Sequence, residues 1–177
     1  DNIRHKNLFL DNIGFSDSRL EFDKIFYSVI GLFDGKIPFG TTDKAIQNYA
    51  SKASYPTLGL EKTNRMVEQI NSITFIDSEV IQNTRKRYLK YFLLLSGLGY
   101  VDFSSDTKEK LKKLKLIDDK LSAFFSAKES AVEKMFKNCS SNIIEDFRLI
   151  ALLTKGGHPL QRVEDRMKIL AKYINED

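Results

Sequence analysis

The sequence predicts an all-α fold, a compact multi-helix bundle of six to eight helices around a central apolar helix at about residues 78–98. Three observations carry that expectation. Apolar residues recur at intervals of three and four in one segment after another. Only 3 Pro and 9 Gly punctuate 177 residues, which favours helices over a turn-rich sheet. Thirteen Phe and 7 Tyr, in a chain that is 42% hydrophobic and 29% charged, supply bulky material for one core. The length suits a single domain. We expect an N-terminal arm over residues 1–15 and one helical domain over 16–177.

Residues 1–15 place Leu8, Phe9, Leu10, Ile13 and Phe15 without a clean period, so an irregular arm or short helical turn docked on the body is expected. Over 17–33, Leu20, Phe22, Ile25, Phe26, Val29, Ile30 and Phe33 form an apolar stripe capped by Ser16 or Asp17. The helix stops at DGKIPFG, where Gly35, Pro38 and Gly40 mark a turn-rich connection. A short helix starts near Asp43 and turns Ala45, Ile46, Tyr49 and Ala50 inward; Tyr55–Pro56 ends it. From Gly59, Leu60, Met66, Val67 and Ile70 mark a third helix ending near Ser72, followed by ITFI as an extended connection.

The central helix comes next. Asp77 or Ser78 would cap it, Val80, Thr84, Tyr88, Tyr91, Phe92, Leu95 and Leu98 recur along it at intervals of three and four, and Gly97 and Gly99 are suited to ending it. Asp106 with Glu109 suggests a capping box at the start of the segment reaching to Cys139, either one long helix or two. Ser140–Ser141 should open a helix ending at Gly156–Gly157. His158–Pro159 should open the last, where Leu160, Val163, Met167, Leu170 and Ile174 keep an apolar face.

Two segments share a format of apolar helix, acidic turn and helix: FYSVIGLFDGKI and YFLLLSGLGYVDF. In this format they resemble TerB-like helical domains of tellurite resistance, although the central basic run departs from that family's stronger acidic signature. The stretch HPLQRVEDRMKIL, from His158 to Leu170, resembles the tail of M48-type metallopeptidases, with His158 and Pro159 opening the helix and Arg166 in the place of the family's arginine. The zinc-binding HExxH motif is absent, so no catalytic residue is carried over. Both likenesses cover short pieces of the chain.

The net charge of +4 is concentrated. Residues 85–120 hold ten Lys or Arg against five Asp or Glu, an excess of +5. Arg85, Lys86, Arg87 and Lys90 lie on the central helix, and Lys112 and Lys113 belong to KEKLKKLK. Such a surface can meet phosphates or an acidic partner. It is equally how a solvated helical face is written, each Leu turned inward. The loop 34–41 adds Ile37 and Phe39, which would either anchor a partner or fold back on the core.

Several chemistries are disfavoured. A lone Cys139 allows neither an internal disulfide nor a cysteine-cluster metal site. The densest apolar run, Tyr91 to Leu95, is too short to cross a bilayer. Adjacent carboxylates such as Glu145–Asp146 do not face one another on a helix. The chain opens on Asp1 rather than Met, which suggests trimming, processing or excision from a longer protein.

The expected function is therefore non-enzymatic: a helical domain that binds another protein through Arg85, Lys86, Arg87, Lys90, Lys112, Lys113, Ile37 and Phe39. The first alternative is a nucleic-acid or anionic-lipid surface over 85–115. The second is an enzyme with a site near His158, which needs Glu145, Asp146 or Arg148 to converge there. Neither a cofactor nor a metal is expected.

Overall fold

The structure is a computed structural model and describes residues 5–52, 59–74, 76, 81, 83–126, 141–154 and 156–176. Eight α-helices are described: α1 Lys6–Asn12, α2 Glu21–Phe33, α3 Asp43–Lys52, α4 Leu60–Ile73, α5 Lys86–Leu98, α6 Thr107–Ser126, α7 Ser141–Ala151 and α8 Leu160–Asn175. Among the described residues there is no β-strand, only one isolated bridge between Phe39 and His158. The all-α bundle expected from the sequence is the fold.

Helix α5 is its axis. Every residue from Tyr91 to Leu98 is buried, and the helix packs against α2, α4, α6 and α8. A row of rings crosses the core beside it. Phe22, Phe9, Phe92 and Phe103 follow one another with centroids 6.2, 5.3 and 4.8 Å apart, so one aromatic chain joins α2, α1, α5 and the loop after α5. The expected arm is thus, in its described part, a helix that delivers Phe9, Leu10, Ile13 and Phe15 to the core. Asn12 locks it there, donating to the Ile73 and Thr74 carbonyls at the end of α4.

The central helix starts later than expected, at Lys86 and not near residue 78. Arg85 is extended (φ −99°, ψ 165°), Asn83 is left-handed (φ 56°), and the Thr84 amide donates to the Gly14 carbonyl at 3.0 Å. That bond spends the backbone on a partner beyond α1, so the helix forms only after it. The expected caps Asp77 and Ser78 lie outside the described residues, as do Tyr55–Pro56, Cys139 and Ser140. Of the two glycines expected to end α5, Gly99 does so in the left-handed region (φ 71°). Gly97 lies inside the helix, where a Cβ would come 2.4 Å from Phe33 Cε2.

Helix α2 also begins late. Arg19 and Leu20 are both left-handed, and Asp17 Oδ1 accepts the Phe22 amide at 2.8 Å. Ile73 is still helical, so ITFI is not wholly a connection, and Leu60 is exposed. In α8 the apolar face falls as expected, with Val163, Met167, Leu170 and Ile174 buried. Among the described residues no helix is long and apolar enough to cross a membrane.

Candidate binding cleft

Three helices and one loop meet around a cleft of about 130 Å³. Helix α2 lines it with Glu21, Lys24, Ile25 and Ser28, residues spaced three, four and seven apart and so on one face. Helix α3 adds Asp43 and Ile46, and α5 adds Lys86 and Lys90, four apart. The loop between α2 and α3 supplies Phe39, Gly40 and Thr41. The first residues of α2, α3 and α5 all line this cleft, so the amino ends of three helices, each the positive end of its dipole, lie around it.

Most of its charges neutralise one another. Glu21 faces Lys86 at 2.9 Å and Lys24 at 3.5 Å, and Asp43 faces Lys24 at 3.5 Å. The hydrogen bond from Lys86, helped by the charges of Lys86 and Lys24, holds the Glu21 carboxyl below the usual carboxylate range. Lys90 differs. Its ammonium lies over the Phe39 ring, 5.7 Å from the centroid. Among the described residues no carboxylate comes within ion-pair distance of it. Burial, with repulsion from Lys86, lowers the Lys90 pKa against a weaker pull from Asp43 and Glu21.

Phe39 is fixed from behind. It exchanges backbone hydrogen bonds with His158, its amide donating at 2.8 Å and accepting through its carbonyl at 3.1 Å. A Cβ on Gly40 would lie 2.7 Å from the Gly156 Cα, so only glycine lets the two loops touch, and its φ of 80° suits it to the turn. His158 is spent on this contact. Its Nε2 lies 3.1 Å from the Leu152 carbonyl and its Nδ1 3.3 Å from Arg162 Nη1. Arginine only donates, so Nδ1 accepts and Nε2 carries the hydrogen. Beside the loop, Tyr49 is pushed up to about 12, by burial first and then by the Asp34 charge.

The structure brings together three of the eight contact residues expected from the sequence: Lys86, Lys90 and Phe39. Arg85 is exposed just ahead of α5. Ile37 turns inward onto α2, where Gly31 leaves room for it; a Cβ at Gly31 would meet Ile37 Cγ1 at 2.5 Å. Arg87 departs from the expected basic surface. It is largely buried, donating from Nε to Asp118 Oδ1 at 2.6 Å and from Nη2 to the Asp118 carbonyl and Ser122 Oγ, both at 2.7 Å. Lys112 is exposed on α6, and Lys113 pairs with Glu109 and donates to the Glu176 carbonyl. Neither lines the cleft.

Glu21, Lys24 and Asp43 escaped the sequence reading. Their signal was present as polar positions beside the apolar stripe of α2 and at the start of α3, but only tertiary packing sets them against α5. The side chains that an enzyme near His158 would need have other partners. Glu145 pairs with Arg148 at the surface at 3.1 Å, and Asp146 accepts from the Tyr173 hydroxyl at 2.5 Å. Among the described residues no group of three His, Cys, Asp or Glu could hold a metal ion.

Compared with known protein families, curated proteins and solved structures, the chain matches none at a significant level. The short likenesses to TerB-like domains and to the M48 tail therefore assign no residue.

Proposed function

We propose that this is a non-enzymatic binding domain whose contact surface is centred on the cleft between α2, α3 and α5, and whose partner is a protein segment bearing acidic side chains. The observation that carries this reading is Lys90, a half-buried cation with no ion-pair carboxylate among the described residues, set on an aromatic face that opens into the cleft. Burying an ammonium without a counter-charge is costly, and a fold keeps such a group where a ligand supplies the missing charge. Two backbone features beside the cleft agree. Arg19 and Leu20, next to Glu21, and Asn83, close to Lys86, hold left-handed conformations that non-glycine residues adopt at a cost.

The internal pairing of the basic region favours a protein over a nucleic acid. Arg87 is tied to Asp118, Lys113 to Glu109 and Lys115 to Asp119, and Lys110 donates to the Asp102 carbonyl and to Ser105. These pairings interrupt the run of cations that a phosphate backbone would track.

The experiment is an NMR titration of the isotope-labelled chain with a short peptide of alternating Glu and Leu. Heparin and phosphatidylserine vesicles serve as parallel arms. Shifts centred on Lys86, Lys90, Phe39 and Thr41 with the peptide are the expected result. No shift at the cleft, or a stronger response to heparin centred on Lys112 and its neighbours, overturns the proposal.

A further inference from the structure

The charge balance of the cleft selects among anions. Among its side chains, three ammonium groups, Lys24, Lys86 and Lys90, face two carboxylates, Glu21 and Asp43, which leaves one positive side-chain charge. Glu21 occupies both Lys24 and Lys86, and Asp43 holds Lys24 as well. A ligand entering the cleft therefore meets one available cation. It also meets two fixed negative charges that a more highly charged ligand would have to approach.

The lining gives the rest of the specificity. Ile25, Phe39 and Ile46 present apolar surface beside Lys90, while Thr41 supplies a polar side chain. Resting on the reading of the cleft as a site for an acidic protein segment, we infer that it takes one singly charged carboxylate of that segment, on Lys90, and rejects doubly charged phosphate. Glu21 and Asp43 are then the specificity-determining residues: they hold Lys24 and Lys86 in place and repel the second charge of a phosphoryl group. The match is a single Asp or Glu side chain whose aliphatic stem lies along the Phe39 ring and the isoleucines.

Two blocked amino acids separate these possibilities: N-acetyl-glutamate amide, a monoanion at neutral pH, and N-acetyl-phosphoserine amide, close to a dianion at pH 7.5. Each is titrated at fixed ionic strength against the labelled chain, following Lys86, Lys90, Phe39 and Thr41. The carboxylate is expected to bind up to about fivefold more tightly, the upper end of what one exposed charge contact provides. In the Glu21→Gln, Asp43→Asn double variant the order should reverse, since the repelling charges are gone and Lys24 and Lys86 are released. A folded spectrum of that variant, with chemical shifts outside the cleft retained, keeps the comparison valid; if the double variant loses it, Asp43→Asn alone, which leaves Glu21 on Lys24 and Lys86, should narrow the preference for the carboxylate. Equal or tighter phosphoserine binding by the unaltered chain overturns the carboxylate assignment while leaving the acidic-segment reading standing. Shifts at the cleft with neither probe, and with the Glu–Leu peptide, overturn the single-carboxylate assignment alone. Absence of all three overturns both.

Discussion

Arg87 and Asp118 form an ion pair inside the bundle, joining α5 to α6 with Nε 2.6 Å from Oδ1. Asp118 is fully buried and the Arg87 side chain is 16% exposed, so removing either partner strands the other charge in the core. Asp118→Ala should cost about 3–5 kcal/mol in urea denaturation. Arg87→Met combined with Asp118→Leu should recover most of that loss, because no charge is then left unpaired. A cost below about 1 kcal/mol for Asp118→Ala would show that the pair is not structural. The same geometry warns against reversing Arg87 as a probe of binding, since the variant would fail through stability.

Gly97 tests how closely α5 is packed. Helix propensity alone would favour alanine there by about 1 kcal/mol. Its Cβ would lie 2.4 Å from Phe33 Cε2, and the Phe33 Cβ is itself against Gly59, where an added Cβ would come within 2.8 Å. With Phe33 held from the other side, the ring has little room to yield. Gly97→Ala should therefore destabilise by about 1–3 kcal/mol. A double-mutant cycle with Phe33→Leu should show coupling between the two positions. Additive losses would place the strain elsewhere.

These two residues also mark what was legible in the sequence. The buried run from Tyr91 to Leu98 and the repeat of α8 could be read because each depends on spacing within one helix. Gly97 read as a helix end because glycine usually breaks a helix, and nothing local shows that Phe33 must fit against it. Arg87 read as surface because its partner lies 31 residues on. The start of α5 lies later than the spacing suggests for the same reason: the Thr84 amide is taken by Gly14, a bond of tertiary origin. Likewise part of the cleft was legible, as Lys86, Lys90 and Phe39. Its remaining charged residues, Glu21, Lys24 and Asp43, belong to polar helix faces that carry no motif.

Alkaline titration should separate the buried tyrosines from exposed ones. Burial holds Tyr88 well above the ordinary phenol value, and burial with the Asp118 charge outweighs Arg87 to raise Tyr91. Tyr49 is pushed up to about 12. Each keeps its proton in the folded state at a pH where the unfolded chain has lost it. The folded state then binds more protons, and stability falls as pH rises above about 10. Tyrosinate absorbance from these residues should appear together with loss of helical circular dichroism. Tyr49→Phe should move the midpoint to higher pH. Full ionisation of all tyrosines with helicity intact would contradict the burial.

Lys90 should behave oppositely in stability and in binding. Its folded pKa lies below the unfolded one, because burial and Lys86 disfavour the ammonium. The charged side chain therefore weakens the fold below its folded pKa. That penalty fades as pH rises through the window between the folded and unfolded values. Lys90→Met keeps the aliphatic stem against Phe39 and removes the penalty, so the melting temperature at neutral pH should hold or rise. Binding of an acidic peptide should be lost in the same variant, since the available cation is gone. A residue present only for packing would show no such opposition: replacing it would either leave both properties unchanged or lower both. In the unaltered chain, side-chain NMR should show Lys90 deprotonating before most other lysines, with its pKa moving upward when the peptide binds. A Lys90 pKa that the peptide leaves unmoved would place the acidic group elsewhere on the surface.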